Sequence, residues 1–270
     1  QQLRYEDSAV PVDVGGQERL YPWLHDWDEA KKPPIAWLRE NPHRFSLARL
    51  GLHLLSARGA PARFEELTQT RQSLDLWRGA LFSRFVFEGQ EVQVETRVHP
   101  YTDTIIVTLK SPLLATRRLG VTLRFPGVAA QLNPDPADWS NPQRHHTSIL
   151  TSSARELSLE RRLDDTRYFV TAGADRNVSF DGFEPHAFRI IPRSKTSEIT
   201  LLVRFSRAKI PAAMPEAALA RADVDTHWQR YWSTGGAIDF SGSTDPRAQE
   251  LERRVVLSQY LMALNAAGSL

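Results

Sequence analysis

The pattern of apolar residues changes abruptly near Pro211. Before it, apolar and polar residues alternate with a period of two, which is typical of strands that bury one face. After it come two helical segments, of which the second spans residues 245–270. Its apolar residues cannot share one stripe of a helix with about 3.6 residues per turn, so this helix needs neighbours on several sides. These residues are Val255, Val256, Leu257, Tyr260, Leu261, Met262 and Leu264. One further helix cannot cover all of these residues, so we expect the chain to be the N-terminal part of something larger.

The composition excludes several classes of protein. The 270 residues include 34 basic and 32 acidic ones, a formal charge of +2, and no segment concentrates Lys and Arg with aromatic residues as a nucleic-acid surface does. There are no cysteines, which excludes disulfides, thiolate catalysis and Cys-based zinc sites. No stretch approaches the ~20 apolar residues of a membrane span. We therefore expect no nucleic-acid partner, no membrane partner and no cofactor.

The first residue bears on where the protein works. The sequence begins with Gln1 and shows no apolar segment of the kind that a signal peptide carries. A secreted chain has this appearance after its signal peptide has been removed. We therefore expect a secreted or periplasmic protein.

The alternating region predicts a mainly β fold. Residues 1–44 are expected to be irregular, and residues 45–210 to form a β-sandwich domain. Strands are predicted at 46–55, 63–69, 80–88, 91–98, 104–110, 120–125, 148–152, 156–162, 167–172, 187–191 and 198–205. One polar face and one apolar face per strand indicate antiparallel pairing. So many strands exceed one twisted sheet, so a large antiparallel sandwich of two stacked sheets is predicted.

Two other segments complete the organisation. Residues 126–147 are too long and too polar for a hairpin turn, and long loops inside compact domains are usually functional. Residues 211–244 are predicted to be a linker helix, from Pro215 to about Trp232, and a connector. Trp228 and Trp232 stand four residues apart, which places them on one packing stripe of that helix. In residues 245–270, Asp245 is the predicted N-cap of the last helix.

Two stretches carry a resemblance to a known group of enzymes. The first contains Arg49-Leu50-Gly51, then residues 72–79 with the sequence QSLDLWRG, then residues 94–100 with the sequence VETRVHP. The second runs from residues 227–232, HWQRYW, to residues 250–261, ELERRVVLSQYL. Together they resemble the N-terminal β-sandwich and linker of six-hairpin glycosidases. These enzymes have an (α/α)6 barrel and include glycoside hydrolase family 65, with its glycoside phosphorylases, and family 95, with its α-L-fucosidases.

The resemblance implies a division of labour. Residues 245–270 would be the first helix of a helical barrel that continues beyond this chain and is its partner domain. The catalytic carboxylates of such enzymes lie on that barrel, so no catalytic residue is expected within the 270 residues. The implied substrate is an oligosaccharide or a polysaccharide.

The long loop offers candidate substrate contacts. Trp139 provides a ring for the apolar face of a sugar, while Asn141, His145 and His146 provide hydrogen-bonding groups, a mixture that is usual in ligand pockets. The alternative is a loop that only packs against the barrel. A metal site is not expected, because adjacent histidines in an extended segment point to opposite faces and no His-x-His spacing is present.

A second candidate contact precedes the first sandwich strand. In enzymes of this type, loops of the sandwich domain reach the mouth of the barrel. His43 and Arg44 therefore carry a possible role in substrate binding, against the alternative of ion pairing at the surface.

Carboxylates suited to glycoside cleavage are not evident. Such enzymes use two carboxyl groups about 5–10 Å apart. The pairs Glu65-Glu66 and Asp164-Asp165 do not meet this need, because neighbours in a strand point to opposite faces. Asp75 is expected to form a structural hydrogen bond at a turn.

Two other functions stay open. The chain is alternatively a stand-alone carbohydrate-binding or structural module, in which case residues 245–270 pack back on the sandwich or form an oligomer interface. It is alternatively the N-terminal part of a polysaccharide lyase, since some lyases also combine helical barrels with sandwiches.

Overall fold

The computed structural model describes residues 9–21, 46–129, 135–209 and 214–266. The chain divides into two compact units, of which the first comprises residues 1–48 and 125–144. The second unit comprises residues 49–124 and 145–270, so both large sheets and both α-helices belong to it.

The described residues form sixteen strands and two α-helices. In chain order the strands are β1 (Val10–Val14), β2 (Gln17–Tyr21), β3 (Arg49–Leu54), β4 (Thr68–Asp75), β5 (Ala80–Phe87), β6 (Gln90–Val98), β7 (Thr104–Lys110), β8 (Leu119–Arg124), β9 (Gly127–Val128), β10 (Ala137–Asp138), β11 (His145–Ser152), β12 (Glu156–Leu163), β13 (Thr166–Ala174), β14 (Val178–Glu184), β15 (Ala187–Pro192) and β16 (Glu198–Ser206). The helices are α1 (Ala217–Thr234) and α2 (Ala248–Asn265).

The second unit contains two antiparallel sheets. The larger has eight strands in the order β11-β12-β13-β16-β7-β6-β5-β4, and the smaller has four in the order β14-β15-β8-β3. Their buried side chains include Phe87, Leu109, Leu123, Leu159 and Ile190, each no more than 1% exposed. The prediction of a mainly β, antiparallel two-sheet fold followed by helices is confirmed.

In the two sheets of the second unit, the strands β4 and β14 escaped the alternation pattern. The strand predicted at 63–69 is wrong, because Phe64–Glu66 is a 3₁₀ turn and the strand that follows it is β4. This strand lies at a sheet edge and is exposed along almost its whole length, so it shows no apolar period. A register break between Thr68 and Arg71, with Gln69 at φ +50°, interrupts its pairing with β5. The other missed strand, β14, has a break of its own between Gly182 and Glu184.

The first unit corrects the expectation that residues 1–44 are irregular. Within the described part of that range, β1 and β2 form an antiparallel hairpin. Gly15 and Gly16 connect them at φ +64° and +79°. A two-residue hairpin turn of this kind needs positive φ at both positions, which glycine adopts without steric cost. The Gly-Gly pair was thus a hairpin signal.

Part of the long loop predicted at residues 126–147 forms regular structure. Among its described residues, β9 and β10 pair with each other in the first unit. Pro142–Arg144 is a 3₁₀ turn, and β11 begins at His145 rather than at the predicted residue 148.

Both predicted helices are present, with one correction at an end. Asp245 is not the N-cap of α2, because the helix begins after Arg247 and has no side-chain cap. The Asp245 carboxylate instead accepts hydrogen bonds from the backbone N–H of Arg247, at 2.9 Å, and from its guanidinium, at 2.8 and 3.0 Å. These local bonds form a turn that precedes the helix.

Helix α1 docks on the larger sheet through its two tryptophans. Trp228 and Trp232 are 6% and 8% exposed and pack in one cluster with Ile106 of β7 and Leu202 of β16. The Nε1–H of Trp232 donates to the carbonyl oxygen of Leu76 at 3.0 Å. The predicted packing stripe is confirmed, and a backbone carbonyl of the β4–β5 turn fixes its position.

The Leu-Trp-x-Gly motif is the socket for this stripe. Residues 76–79 form the turn between β4 and β5, and the expected structural hydrogen bond of Asp75 is present, from the Arg78 N–H to Oδ1 at 3.2 Å. Gly79 has φ +55°, and a Cβ placed on it would lie 1.9 Å from Nε1 of Trp228. Only glycine satisfies both the backbone angle and the close approach of the indole.

Buried charge forms a second link between α1 and the sheet. Arg97 of β6 is 1% exposed, and it donates from Nη1 to Oδ1 of Asp225 and from Nε to Oε1 of Glu95, both at 2.6 Å. Burial opposes its charge, but the hydrogen bonds to Asp225 and Glu95 outweigh that effect and raise its pKa. His99 adds a contact at 3.2 Å to Asp223. These polar contacts fix the register of α1 on the sheet.

Replacing Gly79 by alanine tests the socket. We expect Gly79→Ala to lower the free energy of unfolding by about 3 kcal/mol, because backbone strain adds to the displacement of Trp228. Gly89→Ala is the matched control, since Gly89 also has positive φ, +73°, but its added Cβ meets nothing within 4 Å. It should cost about 1 kcal/mol. Urea unfolding measures both, and equal losses in the two variants would contradict the socket.

Candidate functional site

In the first unit, an exposed turn carries two of the predicted sugar contacts. Asp138 at the end of β10 accepts hydrogen bonds at Oδ1 from the backbone N–H and the hydroxyl of Ser140, at 2.8 and 2.6 Å. Its Oδ2 accepts from the Asn141 amide at 3.1 Å. Trp139 stands between these residues and is 39% exposed. The turn therefore presents an indole, although Asp138 and Ser140 already use the Asn141 amide.

The acidity of Asp138 reflects these contacts. Hydrogen bonds from Ser140 and then Asn141 lower its pKa to about 2. The carboxylate is thus charged at every physiological pH and serves the geometry of the turn.

In the second unit, the adjacent histidines of β11 have different environments. His145 is 7% exposed, and its Nδ1 accepts a hydrogen bond from Nη2 of Arg161 at 2.9 Å. Its ring lies 4.1 Å from that of His186. His146 is exposed. The burial of His145 does not support a direct sugar contact for it, whereas His146 is accessible to one.

Arg161 is the centre of this buried group, and sequence reasoning missed it. It is 0% exposed and donates to the carbonyl oxygen of His146 at 2.8 Å and to the hydroxyl of Thr147. Burial lowers the pKa of Arg161 and raises that of Tyr168, its hydrogen-bond partner. A signal was available in the period of two along β12, where Arg161 alternates into the inward face. The buried apolar residues of that face are Leu157, Leu159 and Leu163.

The remaining site predictions have mixed outcomes. His43 and Arg44 lie outside the described residues. Among the residues that the structure describes, no group of three or more His, Asp and Glu side chains could hold a metal ion. No helix in the described ranges is long and apolar enough to cross a membrane.

Titration of Asp138 tests the exposed turn. Because the folded-state pKa lies below the ordinary value near 3.8, the hydrogen bonds stabilise the turn fully above about pH 4 and are lost as the pH falls toward 2. We expect the ¹³C resonance of the Asp138 carboxyl group to titrate near pH 2, and Ser140→Ala to move its midpoint toward the ordinary value. Ser153→Ala, at a hydroxyl that Asp138 does not contact, is the control. A wild-type midpoint near 4 would show that the turn is not formed.

Comparison with known proteins gives matches in structure alone. No family model matches the chain, and no curated protein matches its sequence. A bacterial glucoamylase complexed with acarbose has TM-score 0.43 and 8% identity, with 63% of this chain and 29% of that chain covered. A protein named as a kojibiose phosphorylase from the human microbiome has TM-score 0.34 and 8% identity, with 71% and 25% covered. A family GH92 inverting mannosidase from Bacteroides thetaiotaomicron has TM-score 0.41 and 10% identity, with 79% and 29% covered.

These neighbours are longer than this chain and distant from it. The chain spans 25–29% of their lengths. A glycoside phosphorylase, one of the groups that the two motifs resemble, is among them by name. Since no TM-score exceeds 0.43, we draw no conclusion about function from these likenesses.

Proposed function

We propose that this chain is the non-catalytic N-terminal sandwich and linker region of a carbohydrate-active glycoside hydrolase. Residues 45–210 are the sandwich, residues 211–244 the linker helix and connector, and residues 245–270 the first helix of an (α/α)6 barrel. The catalytic carboxylates lie on that barrel, where one protonates the leaving oxygen of a sugar that passes through an oxocarbenium-like transition state. The motif resemblance supports this assignment, and the surface of α2 is the observation that carries it.

One face of α2 is buried against α1. Val256 and Tyr260 are both 5% exposed, and the Tyr260 ring stacks at 5.0 Å on Trp228. The hydroxyl of Tyr231 donates to the carbonyl oxygen of Gln259 at 2.9 Å. The helix is therefore seated on the tryptophan stripe that the sandwich positions.

Apolar side chains elsewhere on α2 are open to solvent. Leu251 and Met262 are 53% and 70% exposed, and Leu261 and Leu264 are 46% and 44% exposed. A surface helix with one partner normally carries polar residues at such positions. Residues 251, 255 and 262 form one stripe and residues 257, 261 and 264 another, on the two sides of the buried face. These are the positions that neighbouring helices of a barrel would cover.

The docking of α1 on the larger sheet gives the sandwich a supporting role. Because the tryptophan stripe and Arg97 lock α1 to the sheet, and α2 packs on α1, the sandwich orients the first barrel helix. We propose Trp139 and Asn141 as sugar contacts of the first unit. We propose His146, independently of them, as a sugar contact of the second unit. His145 is proposed to orient its neighbours rather than to touch substrate. We also propose a secreted or periplasmic location.

A stand-alone module is the second candidate. The observation in its favour is that α2 packs back on α1 and that both helices fall in one compact unit with the two large sheets. In that case the open faces of α2 would join two copies of the chain.

Polar substitutions on α2 test the need for further helices. The triple variant Leu261→Gln, Met262→Gln, Leu264→Gln removes exposed apolar side chains from both open stripes of α2. We expect the wild-type chain to self-associate in light scattering and the variant to be monomeric, with melting temperatures that differ little because exposed side chains contribute about 0.5 kcal/mol or less each. Joined to its helical domain, the same variant should be less stable than the wild type and should hydrolyse its glycoside more slowly.

A matched control introduces glutamine at exposed apolar positions outside α2. Phe64 and Leu219 are 80% and 61% exposed and lie outside α2, so Phe64→Gln, Leu219→Gln should not alter association. A wild-type chain that stays monomeric at all concentrations, with a cooperative melt, would contradict the missing helices. A discrete dimer that the α2 substitutions abolish, with no gain in stability from a helical domain, would favour the stand-alone module.

A further inference from the structure

An open cleft of about 500 Å³ lies beside α1, away from α2. One wall is the β4–β5 turn, with Trp77 and Arg78. The other wall is a flank of the helix on which Asp225, Gln229 and Ser233 stand four residues apart and so share one face. Trp232 completes the lining. None of these residues belongs to the sites discussed above for substrate.

Trp77 is fixed in place yet half exposed. Its ring meets that of Trp232 edge to face, with centroids 4.8 Å apart and an interplanar angle of 61°. Trp232 is itself held by its hydrogen bond to Leu76. The Trp77 side chain nevertheless remains 50% exposed, although burying a ring of this size fully would gain about 1–2 kcal/mol. The protein therefore displays a half-exposed indole to the cleft.

The rim of the cleft has unused hydrogen-bonding capacity. Oδ1 of Asp225 accepts from Nη1 of Arg97 at 2.6 Å and lies 3.7 Å from Nε of Arg78. Within the part of the chain that the structure describes, Oδ2 of Asp225 and the amide of Gln229 make no hydrogen bond, and both residues are exposed. The charge of Asp225 is balanced by the two arginines. A ligand that needs strong ionic pairing would have to break this balance, so the rim favours a neutral, hydroxyl-rich one.

We infer that this cleft is a binding site for a neutral pyranose of an oligosaccharide. The C–H face of the sugar ring carries partial positive charge and matches the negative face of the Trp77 indole. Its hydroxyls both donate and accept, so they pair with the acceptor Asp225, the donor Arg78 and the Gln229 amide, which does both. The inference rests on the proposed function only for the class of ligand.

The cleft is accessible independently of the open surface of α2. Helix α2 contacts α1 through Trp228 and Tyr231, whereas Asp225 and Gln229 lie on a different flank of the helix. Sugar binding at Trp77 is therefore a property of this chain itself.

Isothermal titration of the 270-residue chain with maltotriose and with mannotriose tests the inference. We expect saturable binding of at least one of them, weakened about tenfold or more by Trp77→Ala, which is about 1.4 kcal/mol at the least. Phe64→Ala is the matched control, because Phe64 is also an exposed aromatic residue, at 80%, and belongs neither to the cleft nor to the residues proposed as sugar contacts. This control should bind as the wild type does.

Two further variants protect the test against loss of folding. Trp77→Ala also removes a contact to Trp232, so its thermal unfolding is compared with that of the wild type. Trp77→Phe keeps a ring in the cleft and should retain part of the affinity. Gln229→Ala shortens an exposed side chain, so it should weaken binding several-fold with little change in the melting temperature.

Each result supports or overturns the inference. It is overturned if neither sugar binds the wild type, if Trp77→Ala and Gln229→Ala both bind normally, or if Phe64→Ala weakens binding as much as Trp77→Ala does. Binding that depends on Trp77 supports it, even if joining a helical domain yields no hydrolase activity, which would count against the proposed function alone. Hydrolysis by the joined protein with normal binding in Trp77→Ala would overturn the inference alone.

Discussion

Two tryptophans of one helix connect the sheets of this protein to its helices. Trp228 and Trp232 enter a socket formed by a four-residue turn, and Gly79 allows the backbone to approach the first indole. The same Trp228 ring stacks on Tyr260, so sheet, α1 and α2 share one aromatic cluster. The position of α2 is thus linked, through α1, to a turn between two strands.

The buried arginines contribute more to the specificity of packing than to the stability of the fold. Arg97 and Arg161 have at most 1% of their surface exposed, and removing such charges from water costs several kcal/mol each. Hydrogen bonds to Asp225 and Glu95 offset the cost for Arg97. Since these bonds require one orientation of α1, the charge selects a single register where apolar packing alone would tolerate several.

The sequence predicted the elements better than their contacts. A period of two located most strands, because each buries one face, and it missed β4, whose two faces are exposed. The spacing of Trp228 and Trp232 predicted a stripe but not its partner, since the Leu76 carbonyl is a backbone group that no pattern reveals. The exposure of Trp77 was not predicted either, because it depends on the edge-to-face packing of its ring against Trp232. His145 was placed among the surface candidates because the pairing of β11, which turns it inward, is not visible in the loop-like composition around it.

The broken pairing of β4 has a consequence for how the larger sheet meets other molecules. A regular edge strand offers its free N–H and C=O groups to any extended chain, and this is a common origin of aggregation. The register break at Thr68 and the left-handed backbone of Gln69 remove that regular row from part of the edge. A partner approaching the edge near Thr68 therefore meets side chains rather than a regular row of backbone groups.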